Sequence, residues 1–179
     1  MNRTFIITIL ISVLVTSVSY AEAKTVGLEL DVLPYLTGGY YGSVWYGVDH
    51  IRFRGVVAKV NTPDFAVQDG YKNSEIKAVA FIVDYFPQEN FRGPWGGMGL
   101  EFWISRIEPE SERSITEFTD LVFTLGGGYV WKFYRDFYLN PWAAMHVIID
   151  GETEVPVGSR TYRPDRFTAE ASLKLGWHF

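Results

Sequence analysis

Three residues of this chain have the types needed for hydrolysis: Ser172 as nucleophile, His146 as its base and Glu170 as the carboxylate that would orient the imidazole. Ser172 and Glu170 lie two apart, on one side of an extended segment, and His146 lies on the polar side of the segment before it. The histidines are His50, His146 and His178, and no two have metal-ligand spacing, so neither a metal nor a cofactor is expected. His50 and His178 read as solvent-exposed or interfacial. Arg52 and Arg54 could bind an anion, although pairing with Glu29, Asp31 or Glu101 is the simpler use for them. Gly126-Gly127-Gly128 sits inside a strand pattern with no helix after it, which argues for close packing or a bend and against a phosphate cradle. The balance is against an enzyme.

The elements that would carry these residues are strands. In residues 167–179, Phe167, Ala169, Ala171, Leu173, Leu175, Trp177 and Phe179 alternate with Thr168, Glu170, Ser172, Lys174, Gly176 and His178. A strand sends successive side chains to opposite faces, so this segment separates an apolar environment from a polar one. The same reading predicts strands over 25–35, 40–46, 51–60, 76–86, 95–106, 117–133 and 137–149, which makes eight, with no helix after Ala21. Val56, Ala58 and Val60 fall on the side opposite to Ile51 and Phe53, which suggests a bulge near Gly55. Pro141 falls on the apolar side of its strand and removes a backbone donor. Connections after the second, fourth and sixth strands are short. Those over 61–75, 107–115 and 150–165 are long and polar, and 107–115 is the most charged and is expected to be solvated. Up-and-down antiparallel strands distribute connections in this way, with turns at one end and loops at the other.

Length and composition agree with one all-β domain: 179 residues, 17% aromatic and 21% charged. A net charge of -5 without a basic stripe gives no footing for nucleic acid. The absence of cysteine removes disulfides, thiolate sites and lipoprotein acylation. Residues 1–21 have the form of a secretory signal: Arg3, an apolar run over 5–18, and small Ser19 and Ala21 around Tyr20. Residues 22–179 would then form the barrel.

Alternation does not say which face is inside. A lipocalin-like soluble barrel would turn its apolar set inward. The polar set here carries charges of both signs, namely Glu29, Asp31, Arg52, Arg54, Asp84, Glu101, Asp120, Glu170 and Lys174, which could satisfy one another inside a narrow barrel. Aromatics also crowd the strand ends: Tyr40, Tyr41, Trp45, Tyr46, Tyr85, Phe86, Tyr129, Trp131, Phe133, Tyr134, Phe137, Tyr138, Trp177 and Phe179. That distribution suits the two interfacial girdles of a membrane barrel. The expected fold is an eight-stranded antiparallel up-and-down transmembrane β-barrel, its lumen narrowed by inward Trp103 and Trp142.

The mature chain, and above all FTAEASLKLGWHF at 167–179 and GYVWKFYRDFYLNPWAAM at 128–145, resembles the small eight-stranded outer-membrane barrels, the group of the OmpA transmembrane domain, OmpX and OmpW-like proteins. The resemblance implies export to a Gram-negative outer membrane, contact with outer-membrane lipid, and recognition of the last strand through Phe179 by the barrel-assembly machinery; a monomer is expected. Some barrels of this group modify lipid A, which is the setting in which Ser172, His146 and Glu170 would act. However, the three belong to the lumen set, and the pattern of a histidine with a serine two residues on is missing, since Val147 and Ile148 follow His146. The leading expectation is a non-enzymatic outer-membrane protein with an envelope-structural or surface-interaction role. The alternatives are a narrow channel or small-ligand carrier, a lipid A-modifying hydrolase, and a soluble exported lipocalin-like barrel.

Overall fold

The computed structural model describes residues 24–179, and the predicted signal segment lies outside them. Eight strands close into one antiparallel barrel: β1 (Thr25–Asp31), β2 (Tyr40–Val48), β3 (Ile51–Asn61), β4 (Tyr71–Tyr85), β5 (Gly93–Pro109), β6 (Thr116–Tyr134), β7 (Phe137–Asp150) and, after a separate hairpin of β8 (Val155–Val157) and β9 (Arg160–Tyr162), β10 (Phe167–His178). Each strand pairs with its sequence neighbour in the barrel, and β10 closes the circle against β1 with Leu28 opposite Trp177 and Leu30 opposite Leu175. Closure leaves no unpaired barrel edge.

The alternation read from the sequence is the alternation of the wall. Along β10, Lys174, Gly176 and His178 are buried while Leu173, Leu175 and Trp177 are exposed on the outside. Along β4, Ala80, Ile82 and Asp84 are buried between exposed Val79, Phe81 and Tyr85. Turn and loop ends also fall as expected. Two-residue turns join β2 to β3 and β6 to β7, and Asp49 and Arg135 take the left-handed backbone there (φ 53° and 47°).

Several expectations need correction. The first strand stops at Asp31, and residues 32–36 form a short helix, α1 (Val32–Leu36), whose first turn is capped by Asp31 accepting from the Leu33 amide at 3.1 Å. There is no bulge at Gly55: β3 pairs without a break against both β2 and β4. The strand keeps its phase because part of the lumen wall is apolar, with Val56 and Ala58 packed inside against Tyr41, Ala80 and Ile82. Pro141 does weaken a ladder. Pairing of β6 with β7 skips from Gly128–Trp142 to Trp131–Leu139, although the register is the same on both sides of the gap.

The polar connections are also less open than expected. β4 begins at Tyr71 and β5 runs to Pro109, so both strands extend into what reads as loop. Ile107 and Glu108 are buried, not solvated, and the β8–β9 hairpin folds over them. Val155, Val157, Tyr71, Ile107 and Phe118 form a small core flanked by Val67 and Tyr162. The loop end of the barrel therefore carries a packed cap with its own hydrophobic contacts.

Candidate functional site: the barrel interior

The lumen is filled from the turn end upward. Its lowest layer is aromatic: Trp45, Phe86, Phe91, Trp95, Val130 and Tyr138 pack together, with Trp142 against them. Room for the rings comes from glycines on the neighbouring strand. Gly27 is directly opposite Trp45 and Gly176 directly opposite Tyr138, and a side chain at either glycine would overlap the ring. Phe91 enters from the β4–β5 connection and lies over Gly47 in the same manner. Trp45, Tyr41, Phe86 and Tyr138 are thus interior groups and not part of an outer girdle, whereas Tyr85, Tyr129, Trp131, Phe133, Tyr134 and Trp177 do lie outside. His178, expected at solvent or an interface, is buried edge-on against Trp45 and Tyr138, with centroids 4.8 and 4.6 Å apart.

On this floor sits a charged network built by β1, β3, β4 and β7. Arg52 donates to Asp84 through Nε at 2.8 Å and to Glu29 through Nη1 at 3.0 Å. Arg54 forks onto Asp84, with Nη2 to Oδ1 at 3.0 Å and Nε to Oδ2 at 3.2 Å. Glu29 Oε1 also accepts from Tyr138 Oη at 2.9 Å and Asn140 Nδ2 at 3.0 Å. Trp95 Nε1 holds Asn140 at 2.9 Å and Trp45 Nε1 holds Tyr138 at 3.0 Å, so the indole donors are used as well. The Arg52 guanidinium lies over the rings of Phe86, Trp95 and Trp45 at 4.9, 5.1 and 5.5 Å. Charges removed from water hold together only when paired and hydrogen-bonded in this way.

Higher in the lumen, Lys174 lies with Nζ 3.5 Å from the centre of the Trp142 ring. Asp31 accepts from Trp142 Nε1 at 2.7 Å and from the Ser172 hydroxyl. Above them, His146 stands between Glu170 (Nε2 to Oε1, 3.1 Å) and Thr124 (Nδ1 to Oγ1, 2.8 Å). Thr124 donates to Glu101 at 2.7 Å, and Trp103 Nε1 donates to the other Glu101 oxygen at 2.7 Å.

The residues singled out for hydrolysis are only partly brought together. His146 and Glu170 meet, but Ser172 is level with Trp142, four residues along β7 from His146, and its hydroxyl is given to Asp31. Arg52 and Arg54 pair with Glu29 and Asp84, while Asp31 and Glu101 serve indoles and hydroxyls. The inward charges are those expected, with six acids, Glu29, Asp31, Asp84, Glu101, Asp120 and Glu170, to three bases, Arg52, Arg54 and Lys174. Tyr138, Asn140, Trp45, Trp95 and Thr124 were not anticipated as members. The signal that could have found three of them is parity, because Trp45 shares the face of Ser43, Trp95 that of Gly97, and Asn140 that of His146.

No protein-family model matches the chain, and no curated protein matches it.

Proposed function

We propose that this chain is an integral outer-membrane barrel without enzymatic activity, which contributes to the envelope mechanically or through its capped loop end. One observation carries the reading: the outer wall is apolar and the charges are inside. Outward charges of the strands such as Lys59, Glu75, Lys77, Arg106 and Glu117 lie toward the loop end. Below them the wall is Leu28, Leu30, Val44, Val57, Val79, Phe81, Leu100, Phe102, Leu125 and Met145, each at least 41% exposed. A soluble surface rarely carries a continuous apolar belt of this kind, whereas a bilayer requires one about 25 Å tall. A lipocalin-like soluble barrel would need the reverse arrangement.

Against a channel stand the aromatic floor and the Glu29–Arg52–Asp84–Arg54 network, which occupy the lumen at the turn end with packed rings and paired charges. Against a hydrolase stands the engagement of Ser172 with Asp31. The deciding experiment is fractionation with heat-modifiable gel migration, followed by planar-bilayer recording of the purified protein. The expected result is an outer-membrane, heat-modifiable species with no steady conductance. A freely soluble periplasmic protein would overturn the membrane assignment, and steady currents altered by Arg52→Ala would replace the closed barrel with a channel.

A further inference from the structure

The outer wall is not evenly filled. Across β1 to β4 it holds a groove of about 690 Å³, within the roughly 300–1,000 Å³ range of small-molecule sites. Its floor includes Gly42 and Gly55 on the outer face of β2 and β3. A carbon added at Gly42 would meet nothing within 4 Å, and one at Gly55 only Val44 at 4.0 Å. The rims include Leu28 and Leu30 on β1 and the directly opposed Val57 and Val79 on β3 and β4. Glu29 and Ser43 border the groove as well, but their side chains are buried on the lumen side. The surface offered to an occupant is therefore hydrocarbon, which suits an apolar chain and gives a polar ligand nothing in exchange for its water.

Charge begins at the upper end of the groove. Two residues beyond the Val57 and Val79 pair, on the same outward face, come Lys59 and Lys77, again directly opposite each other. Like charges so placed repel. Glu75 is 2.8 Å from Lys59 Nζ and 3.6 Å from Lys77 Nζ, so one carboxylate serves two ammonium groups and one positive charge is left over. Tyr40, exposed and opposite Lys59, adds a phenol at the same level. Lys59 lies four residues beyond Gly55, about 13 Å along the strand at ~3.3 Å per residue. An anionic head joined to an apolar tail complements both parts, with the head at the lysines and the tail in the groove.

We propose that the groove holds an acyl chain of a phosphate-bearing lipid, with the phosphate between Lys59 and Lys77 and the chain over Gly42 and Gly55. The proposal rests on the membrane reading above and adds to it a place of contact and a lipid class.

The test is native mass spectrometry of the folded full chain in detergent, offered equal amounts of phosphatidylglycerol and phosphatidylcholine with identical myristoyl chains. The anionic lipid should be retained about fivefold over the zwitterionic one, the factor supplied by one uncompensated lysine near an anionic lipid. Lys59→Gln combined with Lys77→Gln should remove the preference. Arg92→Gln, in the β4–β5 connection at the opposite end, should keep it. Gly55→Leu, which fills the groove without touching a charge, should lower retention of both lipids. Heat-modifiable migration reports that each variant has folded, and Gly42→Leu replaces Gly55→Leu if the latter does not fold. Equal retention of the two lipids by the wild-type protein, a preference that survives loss of both lysines, one lost equally in Arg92→Gln, or undiminished retention in the filled groove would each overturn the proposal. A heat-modifiable outer-membrane protein without lipid preference would sink this proposal and leave the membrane reading standing, whereas a freely soluble protein would sink both.

Discussion

Arg52 and Glu29 lie on β3 and β1, strands with β2 between them, yet the guanidinium reaches the carboxylate at 3.0 Å with both side chains fully buried. The bond is a tie across the lumen, not along a ladder. Glu29 has further donors in Tyr138 and Asn140 from the other side of the closure, so one carboxylate joins β3 to β7. The barrel is closed twice, by the backbone pairing of β1 with β10 and by side chains across its centre.

Arg52→Met should therefore be costly, because Asp84 keeps only Arg54 and Glu29 keeps only the neutral donors Tyr138 and Asn140 at hydrogen-bond distance. Breaking a buried pair from one side typically costs about 3–5 kcal/mol. The expected outcome is a lower denaturant midpoint for the detergent-folded barrel. Adding Glu29→Gln should recover part of the loss, with a coupling of about 0.5–3 kcal/mol. A double variant as unstable as the sum of its parts would mean that the tie carries no coupling.

The glycine–aromatic pairs give a sharper contrast. At Gly176 a methyl group would overlap the Tyr138 ring, whereas at Gly42, on the outer face, nothing lies within 4 Å of the added carbon. Gly176→Ala should destabilise by about 1–3 kcal/mol through overpacking, and Gly42→Ala should be close to neutral. Matched unfolding curves of the two variants check this, and equal stability would show that the floor can repack at no cost.

The strands were legible because the wall separates two environments over long runs, and β6 shows it best: Leu121, Phe123, Leu125, Tyr129, Trp131 and Phe133 stand outside as the alternation requires. The floor was not. An aromatic at a strand end serves equally as girdle or plug, and only the phase of Trp45 with Ser43, and the glycine opposite it, distinguish them. Phe91 could not be placed from pattern at all, since it is carried in by a turn in which it has a positive φ of 52°. The cap was hidden for a related reason: Val155 and Val157 make a strand of three residues inside a polar segment, too short for periodicity to register. His146 with Glu170 was readable from adjacent strands. The bond from Ser172 to Asp31 crosses from β10 to the end of β1, and depends on a register that the sequence does not state.

Ser172→Ala separates a structural hydroxyl from a catalytic one. Asp31 would keep Trp142 Nε1 and the Leu33 amide, so the loss should be about 1 kcal/mol. Neither the wild-type protein nor the variant should release fatty acid from lipid A. Release by the wild-type protein that disappears in Ser172→Ala would restore the hydrolase reading.

Leu100 is in the outward row of β5, 48% exposed, between Met98 and Phe102. If that row meets hydrocarbon, Leu100→Arg must place a guanidinium where nothing can solvate it, at a cost of about 2–4 kcal/mol near the bilayer midplane. If the row meets water, the same change removes an exposed apolar group and should lie within about 0.5 kcal/mol of neutral. Thr119 is outward too, but on β6 beside the Arg106–Glu117 pair. Thr119→Arg should be harmless in either setting, because the wall already carries charge there. The measurement is the yield and unfolding midpoint of both variants in lipid vesicles. Loss confined to Leu100→Arg supports a membrane-facing wall, and two neutral variants would refute it.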